Sequence, residues 1–184
     1  MSYAIAVWGA HTNVDRLKPL FLLQKRAIRN LFGIRRVSKY IKGHTKLVFQ
    51  KNEILTVYNI YNYMTILEIY KLMILQEPLY LCELLNLESM KLIKRNHRIY
   101  IPFFKLSQLQ NNFCYQAPEL WNFLGSNSTI CNDVTSALSI NSMKLRLKSF
   151  LLKLQSHGHN DECDQNWYKF NFSIEAYVNL IKSI

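Results

Sequence analysis

Residues 53–75 read EILTVYNIYNYMTILEIYKLMIL, the longest apolar stretch in the chain. Its apolar side chains recur at the three- and four-residue spacing of an α-helix and cover a wide face. These positions are Leu55, Tyr58, Ile60, Tyr61, Met64, Leu67, Tyr70 and Met73. Polar and charged residues interrupt the run, which argues against a membrane span. We therefore predict a helix over Glu53–Leu75, capped by Asn52, at the centre of the core.

The tyrosines of this stretch allow two interpretations. Tyr58, Tyr61, Tyr63 and Tyr70 could stack on nucleic-acid bases. Aromatic side chains at helical spacing more commonly pack in a core, and we expect that role for them here.

Two further segments show the same periodicity. Arg16–Phe32 is predicted to be helical; Pro19 suits a first turn, which would move the start to Lys18, and Gly33 is a natural end. Its inward stripe is Leu17, Leu20, Phe21, Gln24, Ile28 and Leu31. The other segment is Met143–Gln155, capped by Ser142. Its inward face is Met143, Leu147, Phe150, Leu151 and Leu154.

The remaining patterns are weaker. Thr45–Gln50 and Leu79–Leu87 predict short helical pieces, whereas Arg98–Phe104 and Phe113–Tyr115 look extended and could pair as two strands. Glycine and proline are scarce, at 5 and 4 residues. The predicted fold is mostly α, with about five helices and one short two-strand pairing. Residues 1–155 form the helical region, and 156–184 form a polar tail with a short helix at Ser173–Ile181.

The charge of the chain is concentrated in one segment. The formal net charge is +11, and eleven lysines or arginines fall between Arg16 and Lys51 with no acidic residue among them. The rest of the chain is balanced, with twelve basic and twelve acidic residues. A local positive excess favours polyanionic partners.

Part of this charge lies on the Arg16–Phe32 helix. Lys18, Lys25 and Arg29 are spaced so that they form one row, with Arg26 beside it. The acid-free sequence continues through Arg35, Arg36, Lys39 and Lys42. These eight residues are the candidate contacts to phosphates of RNA or DNA. The alternative is a solvated basic face, although such a face usually mixes charges of both signs.

The sequence offers little for catalysis. It holds no phosphate-binding glycine loop, no nucleophile elbow and no closely spaced carboxylate cluster for two-metal chemistry. His157, His159 and Cys163 are the best metal candidates, but they lack the second half of a zinc site, so we expect an exposed tail there. We predict no cofactor, no metal and no enzymatic activity of its own.

Localisation follows from two observations. The four cysteines are widely and irregularly spaced, as in reduced intracellular proteins. Met1–Ala10 is too short and lacks the basic start of a signal peptide. We expect an intracellular protein of nucleus or cytoplasm, not secreted and without a membrane partner.

Several blocks follow one another in a recognisable order. The strongest is LKPLFLLQKRAIR at residues 17–29. YAIAVWG at 3–9 precedes it, and HT at 44–45, LVF at 47–49 and EILTV at 53–57 follow. PELWNFL at 118–124 and the helix Ser142–Leu154 complete the set. Over residues 3–155 these blocks resemble the region beyond the thumb of non-LTR retrotransposon reverse transcriptases, the jockey-like and related LINE elements.

The match is incomplete in one block: Gln116, Ala117 and Pro118 stand where the family has a glycine region, and Gly125 stands where it has proline. The family's RNA-directed DNA polymerase activity depends on an Ala-Asp-Asp motif and a further Asp that hold Mg²⁺, and this chain lacks them. The resemblance therefore implies a non-catalytic C-terminal fragment. Its expected partners are RNA or DNA and the upstream polymerase region of the parent element.

Two other functional interpretations stay open. The chain could be a stand-alone helical interaction module whose basic face meets an acidic protein. It could also be the remnant of a decayed element with no selected function.

Overall fold

The computed structural model describes residues 14–34, 45–75, 79–85, 99–101, 103, 105, 113–126 and 139–157. These residues are mostly helical and contain no strand, which confirms the mostly α prediction. The helices are α1 (Val14–Leu31), α2 (Thr45–Lys51), α3 (Val57–Leu75), α4 (Leu79–Leu84), α5 (Phe113–Ser126) and α6 (Ile140–His157).

The described residues belong to two compact units. Of the described residues, those in 14–60 and 151–157 belong to unit 1, and those in 61–150 belong to unit 2. Helices α3 and α6 each begin in one unit and end in the other. The predicted division at residue 155 stays a prediction, because the tail beyond His157 lies outside the described residues.

Helix α3 is buried around most of its circumference, as its predicted central place requires. Ile66 and Ile69 are fully buried, although the periodicity did not select them. Asn59, Asn62 and Thr65 are buried too, so these three polar residues do not mark a solvent face. Glu68 and Lys71 do reach solvent and pair with each other over 2.7 Å.

The start of α3 differs from the prediction. The helix begins at Val57, and the Oγ1 of Thr56 accepts the N–H of Asn59 over 3.4 Å, so Thr56 is the cap. Asn52 instead ends α2, where its Nδ2 donates to the Val48 carbonyl. The end of α2 and the start of α3 are therefore separated only by residues 52–56, and Asn52 lies at the end of α2.

Helix α2 ends in a Schellman motif with a non-glycine residue at its left-handed position. Glu53 has a φ of 50°. Its N–H donates to the Gln50 carbonyl over 3.2 Å, and the Ile54 N–H donates to the Phe49 carbonyl over 2.9 Å. The motif satisfies the last carbonyls of α2 and strains the backbone at Glu53.

Helix α6 confirms its predicted inward face but not its cap. Met143, Leu147, Phe150, Leu151 and Leu154 are all buried. The helix begins at Ile140, and the Ser139 Oγ accepts the Ser142 N–H over 3.2 Å. Ser142, the predicted cap, is therefore the third helical residue.

The predicted strand pair is wrong at its second member, because Phe113–Tyr115 form the first turn of α5. The first member, Arg98–Phe104, is described in part, and its residues Ile99–Ile101 have no strand partner among the described residues. A side chain takes that place: the Asn122 Oδ1 accepts the Ile99 N–H over 2.6 Å, and the Asn122 Nδ2 donates to the Ile99 carbonyl over 2.7 Å. Both backbone groups of buried Ile99 are thereby paired.

Other contacts of unit 2 place α3 beside α4 and α5. The rings of Tyr70 and Trp121 stack with centroids 6.3 Å apart. The hydroxyl of Tyr61 donates to the Gln116 Oε1 over 2.5 Å. The thiol of buried Cys82 in α4 donates to the Leu72 carbonyl of α3 over 3.8 Å, and Cys114 is a buried free thiol. No helix in the described part of the chain has the length and apolar character needed to cross a membrane.

Candidate nucleic-acid interface

Helix α1 carries the basic residues and is anchored by an aromatic cluster in unit 1. The ring of Phe21 lies 6.1 Å from that of Phe49 in α2 and 5.8 Å from that of Tyr58 in α3. Phe21 and Phe49 are almost completely buried. Such tilted aromatic packing gives α1 a fixed place against α2 and the start of α3.

A side-chain amide fixes the rotation of α1. Gln24 Nε2 donates to the Leu55 carbonyl over 2.8 Å, and Gln24 Oε1 accepts the Val57 N–H over 3.0 Å. Val57 is the first residue of α3, so its N–H has no acceptor within the helix. Gln24 therefore occupies an inward position, as predicted.

The predicted inward stripe of α1 is wrong at two positions, because Phe21 and Gln24 fix the rotation of the helix. Leu17 and Ile28 are buried with Phe21, whereas Leu20 is 46% exposed and Leu31 is 80% exposed. Helix α1 also begins at Val14, earlier than expected, which puts Pro19 inside the helix. The end is as predicted: Gly33 has a φ of 61°, and the Ile34 N–H donates to the Arg29 carbonyl over 2.9 Å.

The same rotation brings four of the predicted contact residues to one side of α1. Lys18 and Arg26 are exposed, and Lys25 and Arg29 are half-buried. Lys25 Nζ lies 4.6 Å from the centroid of the Phe21 ring, a cation–π contact that holds the ammonium close to the helix. Arg35, Arg36, Lys39 and Lys42 lie outside the described residues.

The pKa of Lys25 reflects the surroundings of its ammonium group. Burial lowers the pKa of its ammonium, and the positive charge of Arg29 lowers that pKa further. Both effects disfavour the charged amine in the free protein. A bound anion would reverse the second effect, because it would offset the repulsion between the two side chains.

A concavity opens at the C-terminal end of this basic row. It has a volume of about 300 Å³ and is lined by Arg26, Arg29, Asn30 and Ile34. Ile34 belongs to it because the chain reverses at Gly33, which folds residue 34 back toward the last turn of α1. Periodicity had not selected Asn30 or Ile34; the glycine stop at residue 33 was the only signal for this reversal.

Two other candidate sites were considered from the sequence: the tyrosines of α3 for base stacking, and His157, His159 and Cys163 for metal binding. Tyr58, Tyr61 and Tyr70 are buried, which confirms a core role for these three tyrosines. Among the residues whose side chains the structure describes, no group of three His, Cys, Asp or Glu could hold a metal ion. His157, His159 and Cys163 are not among those residues, so the expectation that they bind no metal stays a prediction.

No protein-family model, no curated protein and no solved structure matches the chain. The function is therefore inferred from the side chains that the fold brings together, chiefly the basic face of α1.

Proposed function

We propose that the chain binds RNA or DNA through the phosphate backbone, and that it is a C-terminal fragment of a non-LTR retrotransposon reverse transcriptase without the catalytic palm. The observation that carries the binding proposal is the placement of Lys18, Lys25, Arg26 and Arg29 on one side of an anchored helix. No acidic residue occurs between Arg16 and Lys51 to neutralise them locally.

The chemistry of this face suits a polyanion. Phosphate contacts from lysine and arginine release counterions, which gives affinity without regard to base sequence. The half-buried Lys25 and Arg29 carry like charges close together, and a phosphate between them would relieve their repulsion. Binding should therefore be strong at low salt and weakly sequence-dependent.

The proposed family origin rests on the order of the resembling blocks, two of which contact each other. Gln24 belongs to the block at 17–29, and its amide binds the backbone of the block at 53–57. Gln155 directly follows the closing block, and its Nε2 donates to the Ile54 carbonyl over 3.0 Å. The block at 53–57 is thus hydrogen-bonded to the block at 17–29 and to the residue that follows the closing block.

The proposal carries no polymerase or nuclease activity. Its partners are RNA or DNA, in nucleus or cytoplasm, and the upstream polymerase region of the parent element.

The test is a binding titration at several salt concentrations. Fluorescence anisotropy would measure the affinity for a labelled single-stranded RNA and for a DNA duplex. If six phosphates are contacted, the slope of log affinity against log salt is about −4 to −5. The variant Lys25→Gln/Arg26→Gln/Arg29→Gln should lower affinity and flatten the slope by about 2 to 3.

Two further variants control for folding and for charge. Lys18→Gln/Arg26→Gln removes exposed charges only and should flatten the slope by about 1.4 to 1.8. Lys144→Gln/Lys148→Gln removes two exposed charges from α6 and should leave the slope unchanged. Equal slopes for all variants would reject α1 as the contact surface.

A protein-interaction module is the second candidate, favoured by a specific observation. Leu20, Leu23 and Leu31 are exposed along the flank of α1 that lies away from the basic row. An exposed apolar flank is typical of a protein contact. Heparin should displace a nucleic-acid ligand, whereas a protein partner seated on these leucines should resist heparin and moderate salt.

A further inference from the structure

The concavity beside the basic row differs from the rest of that row in its chemistry. Lys18 and Lys25 offer ammonium groups, which act as point charges without a preferred plane. Arg26 and Arg29, one helical turn apart, offer two planar guanidinium groups to a single depression. Guanidinium forks bind phosphate oxygens in pairs of parallel hydrogen bonds.

The remaining lining completes a site for more than a bare anion. Asn30 adds an uncharged amide that can donate to an oxygen, and Ile34 adds an apolar wall. A volume of about 300 Å³ lies at the lower end of the range for small-molecule sites. The depression therefore has space for a phosphate together with an attached sugar or base.

The chain reversal at Gly33 holds Ile34, the apolar wall of the depression, beside the last turn of α1. The Gly33 N–H donates to the Asn30 carbonyl over 3.4 Å, and the Ile34 N–H donates to the Arg29 carbonyl over 2.9 Å. These bonds satisfy two of the last carbonyls of α1 and fix the position of Ile34.

We propose that the depression lined by Arg26, Arg29, Asn30 and Ile34 seats one nucleotide unit of the bound strand. Its phosphate lies between the two guanidinium groups, and its sugar or base lies against Ile34. The inference rests on the proposed nucleic-acid function and deepens it, because it separates one fixed phosphate from the diffuse contacts of Lys18 and Lys25.

The decisive variant replaces both arginines with lysine, which keeps the positive charge and removes the planar guanidinium groups. Arg26→Lys/Arg29→Lys should leave the salt slope unchanged and weaken binding of a short RNA about tenfold, because the paired hydrogen bonds are lost. Arg146→Lys, on the exposed face of α6, should bind as the unaltered protein does. Unaltered affinity in the double lysine variant would overturn the proposed pocket.

A second measurement locates the ligand. Uridine monophosphate, titrated into the full chain, should shift the NMR signals of the Arg26 and Arg29 Nε–H groups and of the Asn30 side-chain amide. Inorganic phosphate should shift the same arginine signals. Ile34→Ala should weaken the nucleotide several-fold and leave inorganic phosphate unaffected; equal effects on the two ligands would overturn the role of Ile34.

The two proposals fail in different ways. If charge removal at Lys25, Arg26 and Arg29 flattens the salt slope but the double lysine variant binds normally, the pocket is rejected and the basic face stands. If charge removal has no effect either, both proposals are rejected together.

Discussion

Asn59 and Gln155 lie 96 positions apart, and the Asn59 Nδ2 donates to the Gln155 Oε1 over 2.9 Å. The same oxygen accepts the Thr56 N–H over 3.1 Å, and the Gln155 Nε2 donates to the Ile54 carbonyl. Gln155 is 2% exposed, so these groups have little access to water. One glutamine thus pairs three polar groups at the start of α3.

Replacement of Gln155 by leucine should destabilise the protein by about 3 kcal/mol, because several buried groups would lose their partners. Gln155→Glu is the matched variant. A glutamate can donate to the Ile54 carbonyl only when protonated, so folding should raise its pKa. Stability of this variant should then be greatest at acid pH and fall as pH rises through the raised pKa. Urea denaturation across pH measures both effects; a glutamate variant with the pH profile of the unaltered protein would contradict the assigned bonds.

Glu53 should be replaceable by glycine with a gain in stability. Its φ of 50° is costly for a residue with a Cβ and free for glycine. We expect Glu53→Gly to raise the free energy of unfolding by about 1 kcal/mol. Glu53→Ala removes the same charge without relieving the backbone and is the control. Thermal unfolding of the two variants decides the matter, since equal melting temperatures would mean that the left-handed position carries no strain.

Asn122 should protect the backbone of Ile99 from solvent exchange. Its side-chain amide forms the two backbone hydrogen bonds that a neighbouring strand would form in a sheet. Asn122→Ala should cost about 2 kcal/mol and speed hydrogen exchange at the Ile99 amide. Asn122→Asp retains an acceptor for the N–H but loses the donor to the carbonyl, so the carbonyl is left unpaired. Slow exchange at Ile99 in the alanine variant would show that another group holds this segment.

Tyr61 should make the fold sensitive to alkaline pH. Burial raises the pKa of its hydroxyl to about 12, from an ordinary value of 10.0. Because the folded state disfavours tyrosinate, the stability contribution is complete below pH 10 and is lost as pH rises toward 12. The total loss is roughly 2 to 3 kcal/mol for this group.

Tyr61→Phe should remove that part of the pH dependence between pH 10 and pH 12. Tyr100→Phe removes the hydroxyl of an exposed tyrosine and is the matched control. Stability measured by chemical denaturation at several alkaline pH values gives the comparison. An identical alkaline slope for Tyr61→Phe and the unaltered protein would place the hydroxyl in contact with water.

Periodicity predicted the helices better than their ends. The inward face of α6 is as expected because Met143, Leu147 and Leu154 repeat at helical spacing, and tertiary packing agrees with that spacing. The cap assignments were wrong at Asn52 and Ser142, since each lies near a second residue that can cap, Thr56 or Ser139. Local preference does not say which of two adjacent capping residues the helix selects.

Two features could not be seen in the sequence pattern. Buried Asn59 and Gln155 look like surface residues until a partner far along the chain is known. Leu20 and Leu31 look like core residues, but the Gln24 bonds turn α1 so that they face outward. The basic row was predictable because charge and spacing suffice for it, whereas the pocket needed the reversal at Gly33.

The junction of α1, α3 and α6 is made from amides and backbone groups, none of which carries a formal charge. Added ions screen charged pairs strongly and neutral hydrogen bonds hardly at all. The scaffold that positions the basic residues should therefore hold its shape over the whole ionic-strength range in which a polyanion dissociates. Dissociation at high salt would then mean that the nucleic acid leaves a folded protein, not that the protein unfolds.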